Sequence, residues 1–241
     1  MNTAGSAAFD QQPGRELVLE PIEQVDLPTL IYRVLRSKVF SGELAPGAKL
    51  DLDYLERALR VSRTPINSAL IRLSEEGLVD IVPRRGTFIR ELTTADVAEV
   101  WDIRRALELL AAEVGMANVD EDNLRHARTL LDNLAASRRA KDEAYVESAA
   151  LDRDYHLALV GLARSRRLVE TYKALHVDVI NARIFYHGRL RAWEETDAEH
   201  RAILKAYEAR DVEAAKSAIT AACLNAKTVL LRRIEELGGS I

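Results

Sequence analysis

Apolar residues recur at helical spacing in three short stretches that follow Leu27. The first stretch contains Leu30, Ile31, Val34, Leu35 and Val39, the second Leu52, Leu55 and Leu59, and the third Ile66, Ala69, Leu70 and Leu73. Thr64 is expected to cap the third helix, and Pro65 suits its first turn, where a missing backbone N–H is tolerated. The pattern therefore predicts three short helices, with Gly77 ending the last of them.

Two short runs follow the third helix, at residues 78–82 and 87–90, and flank the turn Pro-Arg-Arg-Gly at 83–86. Such a pairing predicts a β-hairpin with a basic tip. Three helices and a hairpin within about 65 residues are typical of a winged helix-turn-helix, which is a DNA-binding unit.

The chain beyond Thr93 carries almost no strand signal, and no proline follows Pro83. Helices are predicted at 94–117, 120–139, 142–162, 165–189, 194–210 and 212–237. The predicted fold is mainly α, with an N-terminal winged helix-turn-helix and a C-terminal all-α six-helix bundle. We assign a flexible N-terminal arm to residues 1–24, the winged helix-turn-helix to 25–91 and the helical domain to 92–241.

Charge is unevenly distributed along the chain. Residues 27–90 hold 11 Lys or Arg and 7 Asp or Glu, a net charge of +4, whereas the whole chain carries −4. A basic segment joined to an acidic body suggests that only the first meets phosphate. The single cysteine, Cys223, excludes an intramolecular disulfide, and the chain has neither a membrane-length apolar run nor a signal-peptide pattern. These features predict a cytoplasmic protein.

The start of the third helix carries the residues that we expect to read DNA. Arg63 can bind guanine or phosphate, and Thr64 and Asn67 are short polar residues at the end that enters the major groove. Asparagine can form two hydrogen bonds with adenine. Arg72 completes the predicted set on this helix. A solvated helix face would also carry arginines, but the spacing and the basic hairpin favour DNA binding.

The hairpin tip supplies the second group of expected DNA contacts. Arg84 and Arg85 can reach a minor groove or the phosphate backbone, and Gly86 allows the turn to fold tightly.

Residues 55–79, with the sequence LERALRVSRTPINSALIRLSEEGLV, resemble the helix-turn-helix of the GntR family, and the wing RRGTF at 84–88 does so as well. At the position of Asn67 that family usually has an arginine that contacts a guanine. Because Asn67 is too short for the same contact, the resemblance implies the same docking on DNA but a different operator sequence.

Three segments of the helical domain resemble the ligand-binding domain of the FadR branch of that family, the FCD type. They are RRALE at 104–108, DRDYH at 152–156, and Glu199–His200 followed by Asp211 and Ala214–Ala215. A prediction of six helices rather than seven suggests the VanR-like subgroup.

The second of these segments predicts a metal site. Asp152 and His156 are four residues apart, so both side chains leave one face of a helix and can hold a divalent cation. The resemblance implies His200 as the third ligand and a histidine near residue 222 or 223 as the fourth. Cys223 stands there instead, so either its thiolate replaces that ligand and favours zinc, or the position is open. A plain surface pair at 152 and 156, and a buried filler role for Cys223, are the alternatives.

The resemblance also implies an effector, usually a small carboxylic acid bound beside the metal. Arg104 matches the pocket arginine of the family, and Arg183 is a second candidate for binding the carboxylate. A row formed by Tyr172, His176, Arg183 and His187 on the predicted helix 165–189 could line a cavity or face solvent.

Together these features predict a homodimeric repressor that binds a palindromic operator in double-stranded DNA and responds to a small carboxylate. An alternative is a helical metal-dependent hydrolase in which Asp152, His156 and His200 activate water. A third interpretation is a helical module that only dimerises. The basic wing favours the regulator over an enzyme, and Arg104 with the Asp152 and His156 spacing argues against simple dimerisation.

Overall fold

The computed structural model describes residues 26–140, 145–188 and 193–241, with side chains omitted at 139–140, 187–188 and 193–195. The predicted N-terminal arm, residues 1–24, lies outside the described residues. The N-terminal domain contains α1 (Leu27–Phe40), α2 (Leu52–Leu59), α3 (Arg63–Glu75), β1 (Val79–Val82) and β2 (Gly86–Ile89). The C-terminal domain contains α4 (Thr94–Gly115), a 3₁₀ turn (Met116–Asn118), α5 (Glu121–Ala140), α6 (Tyr145–Gly161), α7 (Arg166–Lys173), α8 (Val177–Gly188), α9 (Trp193–Glu208) and α10 (Val212–Glu236).

The N-terminal domain is the winged helix-turn-helix that the sequence predicts. The apolar residues of α3 are buried at its centre, as expected: Ile66, Ala69, Leu70 and Leu73. The two strands pair antiparallel, from Val79 opposite Ile89 to Val82 opposite Gly86. This packing directs the opposite face of α3 and the hairpin tip towards solvent.

The start of α3 differs from the prediction in one detail. The helix begins at Arg63 with Ser62 at the N-cap, and no side chain caps it. Thr64 is therefore already inside the first turn, and its predicted role as the cap is wrong. Pro65 still falls in the first turn, where its missing N–H would have no helical partner.

The C-terminal domain is all-helical, but the number of helices is not the predicted one. The predicted helix 165–189 is two helices, α7 and α8, separated at residues 174–176. His176 adopts a left-handed conformation with φ of +49°, and no glycine or proline marks the break. The described residues of this domain thus contain seven helices, so the six-helix count is wrong and no longer supports the VanR-like subgroup.

The helices of this domain pack around α4 and α10. Asp102 on α4 pairs with Lys227 on α10 at 2.8 Å, and Glu113 lies 4.0 Å from Lys216, so the two helices run antiparallel. None of the helices in the described parts of the chain is both long and apolar enough to cross a bilayer.

The two domains share buried surface. Val179 and Ala182 of α8 and Ala149 of α6 belong to the same buried apolar cluster as the core of the winged helix-turn-helix. Helices α6 and α8 of the C-terminal domain therefore contact the N-terminal domain directly.

A second connection joins the domains at the linker between β2 and α4. The C-terminal tail, residues 238–241, folds back so that Leu92 and Ile241 exchange backbone hydrogen bonds of 2.8 and 3.0 Å. Gly238 and Gly239, with φ of +104° and +93°, permit this reversal. Arg183 on α8 donates to the Ile241 carbonyl oxygen at 2.6 Å, which ties the tail to α8 as well.

Candidate functional sites

The exposed face of α3 presents the residues that were expected to read DNA. Thr64 and Asn67 are both exposed, at the N-terminal end of the helix. The Arg63 side chain is about half exposed and pairs with two acidic residues of α2, Glu56 at 2.9 Å and Asp53. These carboxylates hold the guanidinium beside the helix start, where a DNA phosphate or base could replace them.

Arg72 lies elsewhere. Its Nη1 atom donates to Thr29 Oγ1 at 2.8 Å, and its guanidinium carbon lies 4.2 Å from the centre of the Tyr32 ring. At 100° per residue, position 72 is about 140° around the helix from Asn67. In this structure Arg72 therefore packs α3 against α1, away from the face that carries Asn67.

The hairpin tip carries a compact group of cations. Arg84 and Arg85 are exposed, and φ is +65° at Arg84 and +119° at Gly86, which closes the turn. A Cβ on Gly86 would meet the Lys49 side chain at 2.7 Å. Lys49, whose Nζ lies 5.9 Å from the centre of the Phe88 ring, adds a third cation beside the wing. Sequence analysis missed Lys49, because a lone lysine in a loop carries no spacing signal.

The C-terminal domain contains a cavity of about 900 Å³, measured out to its mouth. Helices α4, α5, α6, α8, α9 and α10 all contribute to its wall. Its apolar part is formed by Trp101, Ala149, Phe185, Ala222, Ala226, Val229 and Leu230. Its charged and metal-ligating side chains include Arg104, Arg138, Asp152, His156 and His200.

Three of the predicted metal ligands meet in this cavity. The Nε2 atoms of His156 and His200 lie 3.0 Å apart, and Asp152 Oδ1 lies 3.2 Å from His200 Nε2. All three residues are buried, and one potential ligand atom from each lies within 4.8 Å of the others. Two imidazole nitrogens and a carboxylate oxygen at this spacing form a donor set that suits a divalent cation.

Neighbouring residues fix both imidazole rings. Glu108 Oε1 lies 3.2 Å from His156 Nδ1, which directs the opposite nitrogen of that ring towards Asp152 and His200. The Tyr155 hydroxyl donates to the His200 backbone carbonyl at 2.8 Å, and its ring packs edge-on against both histidines. A carboxylate behind a ligating histidine is the usual outer support of a metal site.

The protonation states favour metal binding. Burial lowers the pKa of His156 more than the nearby Glu108 raises it, so the ring is neutral at pH 7. Burial alone would raise the pKa of Asp152, but its hydrogen bond with His200 and the surrounding positive charges hold that pKa well below its usual range. A neutral imidazole and an ionised carboxylate are the forms that ligate metals.

Cys223 does not join this group of ligand atoms, although it lines the cavity. Burial raises the pKa of its thiol to about 12, so it is protonated at neutral pH. The structure therefore brings together three of the four predicted ligands and gives no support to Cys223 as the thiolate that would favour zinc.

The two arginines that were expected to bind an effector have different positions. Arg104 lines the cavity and pairs with Glu108 at 2.8 Å. Arg183 is buried but does not line the cavity, since it is directed to Ile241 in the C-terminal tail; its prediction as an effector ligand is corrected. Burial lowers its pKa to about 10.

The cavity also contains residues that sequence analysis missed. Arg138 on α5 lies 3.3 Å from Asp152 Oδ1, and Asn181 on α8 lines the same wall as Phe185. Neither residue stands in a recognisable motif. The predicted row on helix 165–189 is interrupted by the break: Tyr172 donates to Glu108 at 2.7 Å, outside the cavity lining, and the His187 side chain lies outside the described residues.

Comparison with known proteins agrees with both domains. Residues 29–89 match the family described as bacterial regulatory proteins, gntR family, and residues 99–224 match the FCD domain. The chain belongs to the GntR family. The resemblance predicted from the motifs is confirmed, including the FCD type of ligand-binding domain.

Its relatives are regulators. An uncharacterized HTH-type transcriptional regulator from Streptomyces ambofaciens is 35% identical over 78% of each chain. The HTH-type transcriptional repressor RspR of Escherichia coli is 28% identical, over 85% of this chain and 88% of RspR. The structure of E. coli McbR/YncC, at 23% identity, shares the fold with a TM-score of 0.66 over 87% of this chain and 99% of that one.

This GntR protein is therefore a DNA-binding transcriptional regulator. The proteins that it matches are transcriptional regulators and not enzymes, so the hydrolase interpretation of Asp152, His156 and His200 is not supported.

Proposed function

We propose that this regulator is a homodimeric repressor whose affinity for a palindromic operator is controlled by a small carboxylate bound beside a divalent metal. The observation that carries the proposal is the convergence of Asp152, His156 and His200 inside a cavity that also contains Arg104 and Arg138. A buried donor set of this kind is costly to maintain unless a cation completes it.

Asp152, His156 and His200 would hold the metal, and Glu108 would orient His156 from behind. Three protein ligands leave at least one coordination position for an exogenous oxygen donor. Because the Cys223 thiol is protonated, zinc loses its thiolate argument. A set of two imidazoles and one carboxylate also accepts other first-row divalent ions, so zinc is one candidate among them.

The charge of the site favours an anion. The Arg104 and Arg138 guanidiniums balance the carboxylates of Glu108 and Asp152, and His156 is neutral. A bound divalent cation therefore leaves the cavity with an uncompensated positive charge. A carboxylate effector neutralises that charge and can ligate the metal at its open position.

Helix α8 provides a route from this cavity to the DNA-binding domain. Asn181 and Phe185 line the cavity, whereas Val179 and Ala182 on the same helix pack into the core of the winged helix-turn-helix. An effector that shifts α8 changes that packing and hence the orientation of α3. In a homodimer, the two α3 helices would then no longer match half-sites one helical turn apart.

The DNA surface proposed for this function consists of Arg63, Thr64 and Asn67 on α3 together with Arg84, Arg85 and Gly86 on the wing. These positions are on the surface of one domain and concentrate positive charge near the helix start and the hairpin tip. Repression is proposed because RspR, which is similar over most of its length, is named a repressor. The site of action is the cytoplasm.

The test begins with capture of genomic DNA fragments by the purified protein at about 150 mM salt, where non-specific binding is weak. The expected result is a short palindromic footprint bound by a dimer, with metal present in the natively purified protein. Release of the fragment by a carboxylate only when the metal is present would support the full proposal. Unchanged operator binding with every carboxylate tried, in protein that contains metal, would contradict effector control.

A further inference from the structure

Two polar atoms in the wall of the cavity have no hydrogen-bond partner among the described residues. They are the Asn181 side-chain oxygen Oδ1 and the indole nitrogen Nε1 of Trp101. Asn181 is 6% exposed and Trp101 is 1% exposed, so water does not reach these atoms freely. Leaving a buried polar group unpaired is costly, and such groups in native proteins usually have a reason.

The two atoms belong to neighbouring parts of the wall. Trp101 on α4 is buried in the same apolar cluster as Ile180 and Ile184, which lie on either side of Asn181 along α8. One atom is an acceptor and the other is a donor. A hydroxyl group can donate to the first and accept from the second at the same time.

This pair lies at a distance from the metal ligands. Trp101 precedes Glu108, the partner of His156, by seven residues on α4, which is roughly 10 Å along the helix axis. Apolar side chains of α8 and α10 line the cavity together with both groups: Phe185, Ala222, Ala226, Val229 and Leu230. The cavity thus has two polar regions with apolar surface available for a carbon skeleton.

We propose that Asn181 and Trp101 form a second polar subsite, and that the effector is a hydroxy-carboxylic acid with an apolar body. Its carboxylate lies at the Asp152, His156 and His200 group, as in the proposed function on which this inference rests. Its hydroxyl lies at the far end, where it donates to Asn181 Oδ1 and accepts from Trp101 Nε1. Because Asn181 stands on α8, the hydroxyl contacts the helix that packs against the DNA-binding domain.

The experiment measures the affinity of the zinc-loaded, full-length protein for matched acids by calorimetry. One series is 3-phenylpropionate, its 4-methoxyphenyl analogue and its 4-hydroxyphenyl analogue, and a second pair is octanoate and 8-hydroxyoctanoate. The hydroxyl compounds are expected to bind about 10-fold tighter than the unsubstituted acids, since they satisfy two buried groups. The methoxy compound, which can only accept, should fall between them.

Variants assign the effect to the subsite. Asn181→Leu and Trp101→Phe, which keep similar shapes, should each remove most of the preference for the hydroxyl. The matched control is Asn225→Leu, because Asn225 also lines the cavity but already donates to Glu199 at 2.8 Å. That control should leave the preference unchanged.

The outcomes separate this inference from the proposed function. Equal binding of hydroxylated and unsubstituted acids, or a preference that survives in both Asn181→Leu and Trp101→Phe, would overturn the second subsite alone. Failure of all five acids to bind the zinc-loaded protein would overturn the carboxylate assignment and the subsite with it.

Discussion

The DNA-binding domain and the cavity domain each use an arginine paired with acidic residues, in opposite ways. The Arg63 side chain is 48% exposed and pairs with Asp53 and Glu56 at the surface of the winged helix-turn-helix. The Arg104 side chain is 6% exposed and pairs with Glu108 inside the C-terminal domain. The same chemical pair therefore occurs once in water and once away from it.

The difference determines what each arginine can do. Water screens the pairs of Arg63, so exchanging a carboxylate for a DNA phosphate costs little. The pair of Arg104 is shielded from water, so neither partner can be removed without leaving an uncompensated buried charge. Arg63 is suited to changing partners, whereas Arg104 is suited to giving the cavity a fixed charge.

The largest expected effect comes from breaking the buried pair. Glu108→Gln leaves the Arg104 charge without its partner, and we expect the free energy of unfolding to fall by about 3–5 kcal/mol. Chemical denaturation of the metal-free protein measures this loss. Glu113→Gln, at an exposed position 4.0 Å from Lys216, is the control and should change stability by less than about 0.5 kcal/mol. Equal effects in the two variants would mean that Arg104 does not depend on Glu108.

Removing a metal ligand is the next step. Asp152→Asn is expected to lower metal affinity by more than about 100-fold, since even outer residues of a metal site contribute 10–100-fold. A competition titration with a chelator measures the affinity. Asp154→Asn on the same helix, where Asp154 is paired with Arg153, is the control. Operator binding without effector should be preserved in both variants, and its loss in Asp152→Asn would link the metal to the DNA-binding state itself.

On the DNA side, Asn67→Ala tests sequence reading. Loss of a paired base contact is expected to weaken operator binding by about 10-fold while leaving binding to unrelated DNA unchanged. Arg85→Ala on the wing should instead weaken binding to all sequences and reduce the salt dependence by about one charge. Fluorescence anisotropy at several salt concentrations distinguishes the two patterns. A uniform loss in Asn67→Ala would show that Asn67 does not read a base.

Acid should destabilise the cavity domain through His156. Burial lowers the pKa of His156 in the folded protein, whereas an unfolded histidine takes up a proton near pH 6.5. Between these two pKa values the unfolded state binds more protons, so stability falls as the pH drops from 7 towards 5. The contribution of this residue is no steeper than about 1.4 kcal/mol per pH unit. Denaturation of metal-free protein measures it, and His156→Gln should show a shallower pH dependence than the wild type.

The smallest expected effect concerns the exposed pair. Asp53→Asn releases Arg63 from one carboxylate and removes a negative charge that faces the DNA. We expect a few-fold increase in operator affinity, with thermal stability nearly unchanged. Glu75→Gln, at the other end of α3, is the control. A decrease in affinity would show that Asp53 is needed to orient Arg63.

Local spacing predicted the DNA-binding domain well. The buried face of α3 and the hairpin follow from residues that are close in sequence, so the periodicity of Ile66, Ala69, Leu70 and Leu73 was sufficient. The same holds for Asp152 and His156, which one turn of α6 places together. His200 required the family resemblance, because its approach to His156 depends on how α9 packs against the rest of the bundle.

The remaining errors have tertiary causes. Arg138 and Asn181 reach the cavity from α5 and α8, and nothing in their local sequence distinguishes them from surface residues. The break between α7 and α8 has no glycine or proline, so periodicity continued through His176. Arg183 has the chemistry to bind a carboxylate, but the fold directs it to the backbone of Ile241.

The pairing of Leu92 with Ile241 has a consequence for the order of events during synthesis. The winged helix-turn-helix leaves the ribosome first and contains its own buried core, so it can fold while the cavity domain is still being made. The segment that follows it is held in place only when residues from the opposite end of the sequence arrive. A nascent chain thus acquires the shape that recognises DNA early, whereas the fixed relation between that shape and the sensing domain is among the last features to form.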